Sequence, residues 1–178
     1  MSEPLKQSHY PSPSRSQEVV SRTLSVIVDN EPGVLARVIG LFAGRGYNIE
    51  SLTVTEVEHE KHLSRITIVT NGTPVVIQQI KTQLERLDRV RDLTEEGGGI
   101  ERELALVKVA GKGEKRIEAL RLAEIFRSKV VDTSTEHFVF EVTGKSSKIE
   151  TFIQLMSELG LVEVSRTGIA AIGRGAVA

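Results

Sequence analysis

Residues 22–42 read RTLSVIVDNEPGVLARVIGLF and contain the pattern that decides the fold. Leu24, Val26 and Val28 alternate with Thr23, Ser25 and Ile27, which predicts a strand. Residues 29–33, DNEPG, have the composition of a turn. The apolar residues that follow recur at helical spacing: Val34, Leu35, Val38, Ile39, Leu41 and Phe42. The stretch therefore predicts a strand, a turn and an amphipathic helix in that order.

The same kind of pattern continues to residue 95. Gly44 and Gly46 are expected to end the first helix, because glycine readily adopts the left-handed conformation found at helix ends. Thr73 followed by Pro74 predicts the start of a second helix, with threonine as the N-cap. Strands are predicted at three further places: 49–57, 65–70 and 90–94. The predicted order is β-α-β-β-α-β.

This order repeats in the second half of the chain, after a charged, glycine-rich linker at 96–100. A first helix is predicted at 115–127. Strands are predicted at 104–109, 130–133, 137–142 and 161–165. Ser147 and Glu150 have the spacing of a capping box, which predicts the start of a second helix. The repeat indicates a second domain over 101–170.

The expected fold class is therefore α+β, with two tandem ferredoxin-like (βαββαβ) domains. Each domain is expected to be a four-stranded antiparallel sheet with two helices on one face, and the first covers 21–95. Residues 1–20 are rich in serine and proline and are predicted to form a flexible tail. Residues 171–178 are rich in glycine and alanine and are predicted to form a loose C-terminus.

The composition excludes several classes of function. The 178 residues include 23 Lys and Arg against 24 Asp and Glu, so the net charge of −1 gives no bulk attraction for nucleic acid or an acidic membrane. The absence of cysteine excludes disulfides and thiolate catalysis and fits a cytoplasmic protein. No apolar run is long enough to span a bilayer, and the first residues lack the apolar core of a signal peptide. We expect a cytoplasmic protein that binds neither nucleic acid nor membrane.

No catalytic residue and no metal site is predicted. Asp29, Glu31 and Glu50 could be proposed as an acid–base set, but nothing in the sequence brings two of them together with a nucleophile. We interpret them as surface carboxylates. His59 and His62 have a spacing that metal ligands use, but they fall on a predicted hairpin tip without a third ligand. A solvated turn is the favoured interpretation.

The segment Asn30 to Leu35 carries the most chemical information. It leads into a helix N-terminus, where free N–H groups and the helix dipole attract carboxylates. Gly33 would let a ligand approach the backbone closely. Asn48, at the predicted start of the next strand, offers a donor and an acceptor. With Val34, Leu35 and Ile49 as apolar walls, these groups would suit a free amino acid. From the residues alone, an ordinary turn remains the simpler interpretation.

A family resemblance adds to this interpretation. Residues 29–38, DNEPGVLARV, and 42–52, FAGRGYNIESL, resemble an ACT domain. More narrowly, they resemble the small regulatory subunit of acetohydroxyacid synthase (acetolactate synthase). The resemblance continues in the second domain, at ERELALVKV over 101–109, and covers about residues 22–174.

The resemblance implies a regulatory chain without catalytic residues or cofactors of its own. The separate catalytic subunit of that family holds thiamine diphosphate, FAD and Mg²⁺ and forms acetolactate from pyruvate in branched-chain amino acid biosynthesis. The small subunit activates it and confers feedback inhibition, usually by valine. It forms a homodimer through its ACT domains. The effector would lie between two chains, at positions that match the family motif: Asn30, Gly33, Val34 and Leu35 of one chain, with Asn48 and Ile49 of the other.

Three alternative functions compete with this interpretation. A stand-alone ACT-domain amino-acid sensor, serving a different enzyme or a transcription factor, is the main alternative, although the second-domain resemblance argues against it. A small ferredoxin-like enzyme needs convergent polar groups that the sequence does not indicate. An RNA-binding sheet needs exposed aromatic residues on its central strands, and 65–70 and 104–109 contain none.

Overall fold

The computed structural model describes residues 18–175, so most of the predicted N-terminal tail lies outside the described residues. The first half contains six elements: β1 (Val20–Asp29), α1 (Val34–Arg45), β2 (Ser51–Glu58), β3 (Leu63–Gly72), α2 (Pro74–Glu85) and β4 (Val90–Glu95). The second half contains seven: β5 (Ile100–Val109), α3 (Glu114–Ile125), β6 (Lys129–Thr133), β7 (Phe138–Gly144), α4 (Ser146–Ser157), β8 (Leu161–Arg166) and β9 (Ala170–Ile172). Within residues 18–175, no helix has the length and apolar character needed to cross a membrane.

The two halves form sheets of the same topology. The first sheet has the order β2-β3-β1-β4, and the second has the order β6-β7-β5-β8. All pairings are antiparallel, and β1 pairs with β3 along its whole length, from Val20 opposite Gly72 to Asp29 opposite Leu63. The prediction of two tandem ferredoxin-like domains is confirmed.

The first core lies between the sheet and its two helices. Alternation places Leu24, Val26 and Val28 on the helix side of β1, where they pack with buried residues of α1 and α2. Helix α1 ends at Gly46, which has a φ of 69° and donates its backbone N–H to Ala43. Thr73 caps α2 as predicted, because its Oγ1 accepts a hydrogen bond from the N–H of Val76 at 3.4 Å.

The second core is built in the same way, but the predicted capping box is wrong. Helix α3 buries only Ala119 and Ala123, and its Ile117 is exposed. Helix α4 begins at Ser146 with no side-chain cap, so Ser147 and Glu150 do not form a capping box. The carboxylate of Glu150 instead accepts a hydrogen bond from Arg166 at 3.0 Å.

The C-terminal segment is not loose throughout. Residues Ala170–Ile172 form β9, which pairs with Ile100–Arg102 at the start of β5. The predicted loose end at 171–178 is therefore wrong for its first residues, because main-chain pairing with β5 holds them. Residues 176–178 lie outside the described part of the chain.

Candidate effector site

The turn between β1 and α1 is held by backbone hydrogen bonds, one of which joins it to the β2–β3 hairpin. The N–H of Asn30 donates to the carbonyl of His62 at 2.6 Å, and the N–H of Arg37 donates to the carbonyl of Gly33 at 3.1 Å. Gly33 is the N-cap of α1 with a φ of 87°, a conformation that suits glycine. A Cβ added to Gly33 would meet no atom within 4 Å. The backbone there is open to a ligand, next to helix N–H groups that lack intrahelical partners.

Ion pairs brace this turn from the side of β4. Arg91 donates two hydrogen bonds of 2.6 Å to the carboxylate of Asp29, and Arg89 lies 3.4 Å from the same carboxylate and 3.3 Å from that of Glu31. The bonds from Arg91 are the main reason that the pKa of Asp29 lies below its ordinary value of 3.8. Asp29, with 13% of its side chain exposed, is thus not the free surface carboxylate that the sequence predicted.

The apolar residues of the predicted site have different positions. Val34 is 5% exposed and packs in the first core, so it anchors the start of α1 and is not available to a ligand. Leu35 and Ile39 are both 37% exposed and lie one helical turn apart on α1. Ile49 is half-buried and packs against the first core. Leu35 is therefore the apolar side chain of the turn that is available to a ligand.

Asn48 precedes β2 and is exposed. Its backbone carbonyl accepts a hydrogen bond from Thr70 Oγ1 at 2.6 Å. In the part of the chain that the structure describes, its side-chain amide makes no hydrogen bond. The backbone of Asn48 is thus fixed to β3 while its amide is free for a ligand.

The structure does not bring the two parts of the predicted site together within one chain. The turn lies at the end of the sheet where Asp29 pairs with Leu63, whereas Asn48 contacts Thr70 near the other end of β3. At about 3.3 Å per residue, the stretch from Leu63 to Thr70 spans roughly 23 Å. A single small ligand cannot contact the turn and Asn48 of the same chain.

Comparisons with known proteins match both domains. Residues 24–92 match the family described as "AHAS small subunit-like ACT domain", and residues 102–175 match "Small subunit of acetolactate synthase". A probable acetolactate synthase small subunit from Archaeoglobus fulgidus is 46% identical, over 88% of this chain and 98% of the relative. This chain belongs to the acetolactate synthase small-subunit family. Its first domain is an ACT domain.

Other members of the family give the same result. The isozyme 3 small subunit from Escherichia coli is 43% identical, over 86% of this chain and 96% of that protein. The crystal structure of the acetolactate synthase small subunit from Thermotoga maritima has a TM-score of 0.80 and 41% identity, and covers 89% of this chain and 99% of that one. Both domains and their arrangement are thus shared with this small subunit.

The histidines of the β2–β3 hairpin do not form a metal site. Their ring centroids are 6.1 Å apart, and His59 Nδ1 lies 3.0 Å from a carboxylate oxygen of Glu56. Within residues 18–175, no group of three or more potential ligands could hold a metal ion. The histidine pair is part of an exposed turn in this small subunit.

A serine, a histidine and an aspartate meet at the β6–β7 turn, which the sequence analysis did not identify. His137 lies 2.8 Å from Ser134 Oγ through Nδ1 and 2.8 Å from Asp132 through Nε2. However, Ser134 Oγ also accepts hydrogen bonds from the N–H groups of Glu136 and His137, at 3.1 and 3.2 Å. Because these bonds close the turn through the would-be nucleophile, we assign the three side chains to the hairpin and not to catalysis.

Proposed function

We propose that this chain activates the catalytic subunit of acetolactate synthase and makes it sensitive to feedback inhibition by valine. The effector would bind between the ACT domains of two chains. Family membership supports the partner, and the open turn at Gly33 with the free amide of Asn48 supports an amino-acid ligand. Thiamine diphosphate, FAD and Mg²⁺ would belong to the catalytic subunit, and this chain would hold none of them.

The observation that carries the proposal is the separation of the turn from Asn48 along the first sheet. A site that needs both requires a second chain. Strand β2 is at one edge of the sheet, and its side chains Val54 and Val57 are exposed. If two β2 strands pair antiparallel about a twofold axis, Asn48 of each chain approaches the turn of the other. Such pairing also covers an edge strand that would otherwise present unpaired backbone groups.

The chemistry of the turn suits the common part of an amino acid. N–H groups of the first turn of α1 would bind the carboxylate, and Gly33 leaves room for it. The amide oxygen of Asn48 from the other chain would accept a hydrogen bond from the ammonium group. Leu35 would contact an aliphatic side chain, which favours valine and its branched-chain relatives over polar amino acids.

Regulation follows if valine binds two arrangements of the dimer with different affinity. A ligand shifts an equilibrium only by its difference in affinity for the two states. Because the site spans two chains, a ligand there favours one relative position of the ACT domains. A coupling of roughly 1–3 kcal/mol would change synthase activity about 5–150-fold.

Mixed dimers test whether the site crosses the interface. Gly33→Asp homodimers are expected to lose valine binding, and Asn48→Ala homodimers are expected to bind valine roughly fivefold to thirtyfold more weakly than wild type. In a dimer of one Gly33→Asp chain and one Asn48→Ala chain, both changes fall in the same site and the other site is intact. Calorimetry on tagged and purified mixed dimers should therefore recover one valine per dimer.

The matched control joins a chain that carries both substitutions with a wild-type chain. There each site contains one substitution, so no intact site remains and no valine should bind with wild-type affinity. If the first mixed dimer fails to recover binding, or if the control recovers it, each site lies within one chain and the proposal is wrong.

A further inference from the structure

The middle of the sheet face opposite the helices of the first domain is buried, although three of its four buried side chains are small and polar. Thr23, Ser25, Thr67 and Val69 lie on this face and are at most 7% exposed. An antiparallel sheet with helices on one side commonly leaves its other face to solvent. Burial of this face therefore requires a cover from elsewhere in the chain.

The second domain supplies that cover with the ends of two strands. The first residues of β5 pair with β9 and form a short ribbon. Glu101 in this ribbon accepts a hydrogen bond of 2.6 Å from Thr23 Oγ1 on β1. Beside the ribbon, residues 167–169 connect β8 to β9 and lie against β2. We refer to residues 167–169 as the clasp.

The clasp is hydrogen-bonded to two side chains of β2. The N–H of Ile169 donates to Ser51 Oγ at 3.1 Å, and Thr53 Oγ1 donates to the carbonyl of Ile169 at 3.1 Å. Gly168 has a φ of 82°, and a Cβ built on it would lie 2.9 Å from Ser51 Oγ and 2.8 Å from Thr53 Oγ1. Both the conformation and the close approach require glycine at position 168.

The other end of the clasp is fixed to the second core. It follows Arg166, whose Nε and Nη2 donate to the carboxylate of Glu103 at 2.7 and 2.9 Å. Ser146 at the start of α4 donates to the same carboxylate at 2.9 Å, and only 4% of the Glu103 side chain is exposed. A shift of the clasp would therefore displace a buried, fully paired charge, so the clasp moves with the second domain.

We propose that the clasp is the mechanical link between the effector site and the second domain. Strand β2 begins two residues after Ile49, so a ligand that displaces Asn48 and Ile49 also displaces Ser51 and Thr53. The clasp passes that displacement to Arg166 and the second sheet. This inference rests on the proposed function and identifies how regulation at that site reaches the rest of the chain.

A reversible crosslink tests the link in the complex with the catalytic subunit. The chain has no cysteine, so Ser51→Cys together with Gly168→Cys introduces one possible disulfide, at positions that are in contact. With the clasp covalently fixed to β2, valine should still inhibit acetolactate formation, because the disulfide carries the displacement that hydrogen bonds carry in the wild type. Reduction of the same sample should weaken that inhibition, because neither the disulfide nor the hydrogen bond to Ser51 Oγ then remains.

One outcome that overturns the link is equal valine inhibition before and after reduction, in a sample that mass spectrometry shows to be crosslinked before reduction. Loss of inhibition in the crosslinked form overturns it as well, because a covalent contact would then fail to carry the displacement. The wild-type chain is assayed in parallel. If its complex shows no response to valine, the proposed function fails as well, whereas either of the two results with a wild type that does respond contradicts only the clasp.

A matched pair of substitutions tests the link without a crosslink. Thr53→Val removes the hydrogen bond to Ile169, whereas Thr55→Val changes the same residue type two positions further along β2, where Oγ1 contacts only the neighbouring Glu56 carbonyl at 3.4 Å. One hydrogen bond of ordinary net strength corresponds to roughly fivefold in an equilibrium constant. Thr53→Val should reduce the inhibition ratio by about that factor while calorimetry still detects valine binding to the dimer. Equal inhibition ratios in Thr53→Val and Thr55→Val would contradict the link.

Discussion

Arg91 of β4 holds the carboxylate of Asp29 at the end of β1 with two hydrogen bonds, Nε to Oδ1 and Nη2 to Oδ2, each 2.6 Å long. Asp29 is the residue immediately before the turn that leads to Gly33. A planar guanidinium matches a carboxylate in this two-bond geometry and fixes its orientation as well as its charge. Arg91 lies 62 positions further along the chain than Asp29, and it thus fixes the direction in which the chain enters the β1–α1 turn.

Arg91→Gln should raise the pKa of Asp29 toward its ordinary value of 3.8, because the strongest donor to the ionised form is lost. The measurement is an NMR pH titration of the Asp29 carboxyl carbon. Arg89→Gln is the control and should raise the pKa less, since Arg89 lies 3.4 Å from the carboxylate. An unchanged Asp29 titration in Arg91→Gln would contradict the assignment.

Glu103→Gln should destabilise the second domain by about 1–3 kcal/mol at neutral pH, because Arg166 loses its charged partner. The hydrogen bond from Arg166 is the main cause that lowers the pKa of Glu103 below its ordinary value of 4.5. Ionised Glu103 therefore stabilises the fold above the ordinary pKa of about 4.5, and this stabilisation is lost as the pH falls through the lower pKa that Glu103 has in the folded state. Urea unfolding curves of wild type and variant should converge in acid.

Glu150→Gln is the matched control for Glu103→Gln. Glu150 contacts the same Arg166 at 3.0 Å but has 67% of its side chain exposed, so its loss should cost less than about 1 kcal/mol. Equal losses in the two variants, or a Glu103→Gln difference that stays constant from neutral to acid pH, would contradict the role of burial.

Gly33→Asp should abolish valine sensitivity while the complex remains active, because an added carboxylate would repel that of the ligand. The built Cβ meets no neighbour, so the substitution is not excluded by packing. Gly33→Ala provides the comparison: it imposes the same left-handed backbone strain without a charge. Acetolactate formation with increasing valine should separate the two variants by at least about tenfold, which needs only about 1.4 kcal/mol of repulsion. Equal valine responses would mean that strain, and not charge, acts at this position.

Asn48→Ala should weaken valine binding and leave activation of the catalytic subunit intact. The lost amide accounts for one or two hydrogen bonds, each with a net value of about 1 kcal/mol, so roughly a fivefold to thirtyfold weaker affinity is expected by calorimetry. The hydrogen bond from Thr70 Oγ1 to the backbone carbonyl of Asn48 does not need the amide and should persist. If activation is lost together with binding, Asn48 has a structural role instead.

The sequence predicts elements well where the pattern is local. Alternation over 24–28 and helical spacing over 34–42 are sufficient for β1 and α1, and Thr73 with Pro74 marks the start of α2 correctly. These patterns are set by burial against one core, and each is complete within a few residues. The repeated order of elements then suffices for the tandem fold.

The missed features depend on contacts between distant residues. Strand β9 lacks an alternating pattern, since it is held by main-chain pairing to β5. The capping box at Ser147 fails because Arg166 binds Glu150 instead. Nothing local indicates that Gly168 fits between Ser51 and Thr53 on the other domain. Both halves of the candidate effector site are visible in the sequence, but their separation within one chain appears only in the sheet register.

The most direct test of the proposed function is the rate of acetolactate formation by the catalytic subunit, titrated with this chain with and without valine. We expect saturable activation that valine reverses, with a change of about 5–150-fold. Activation without a response to valine would support the catalytic subunit as the partner and would contradict valine as the effector. An unchanged rate at every ratio of the two chains would contradict the central claim and favour an amino-acid sensor for a different protein.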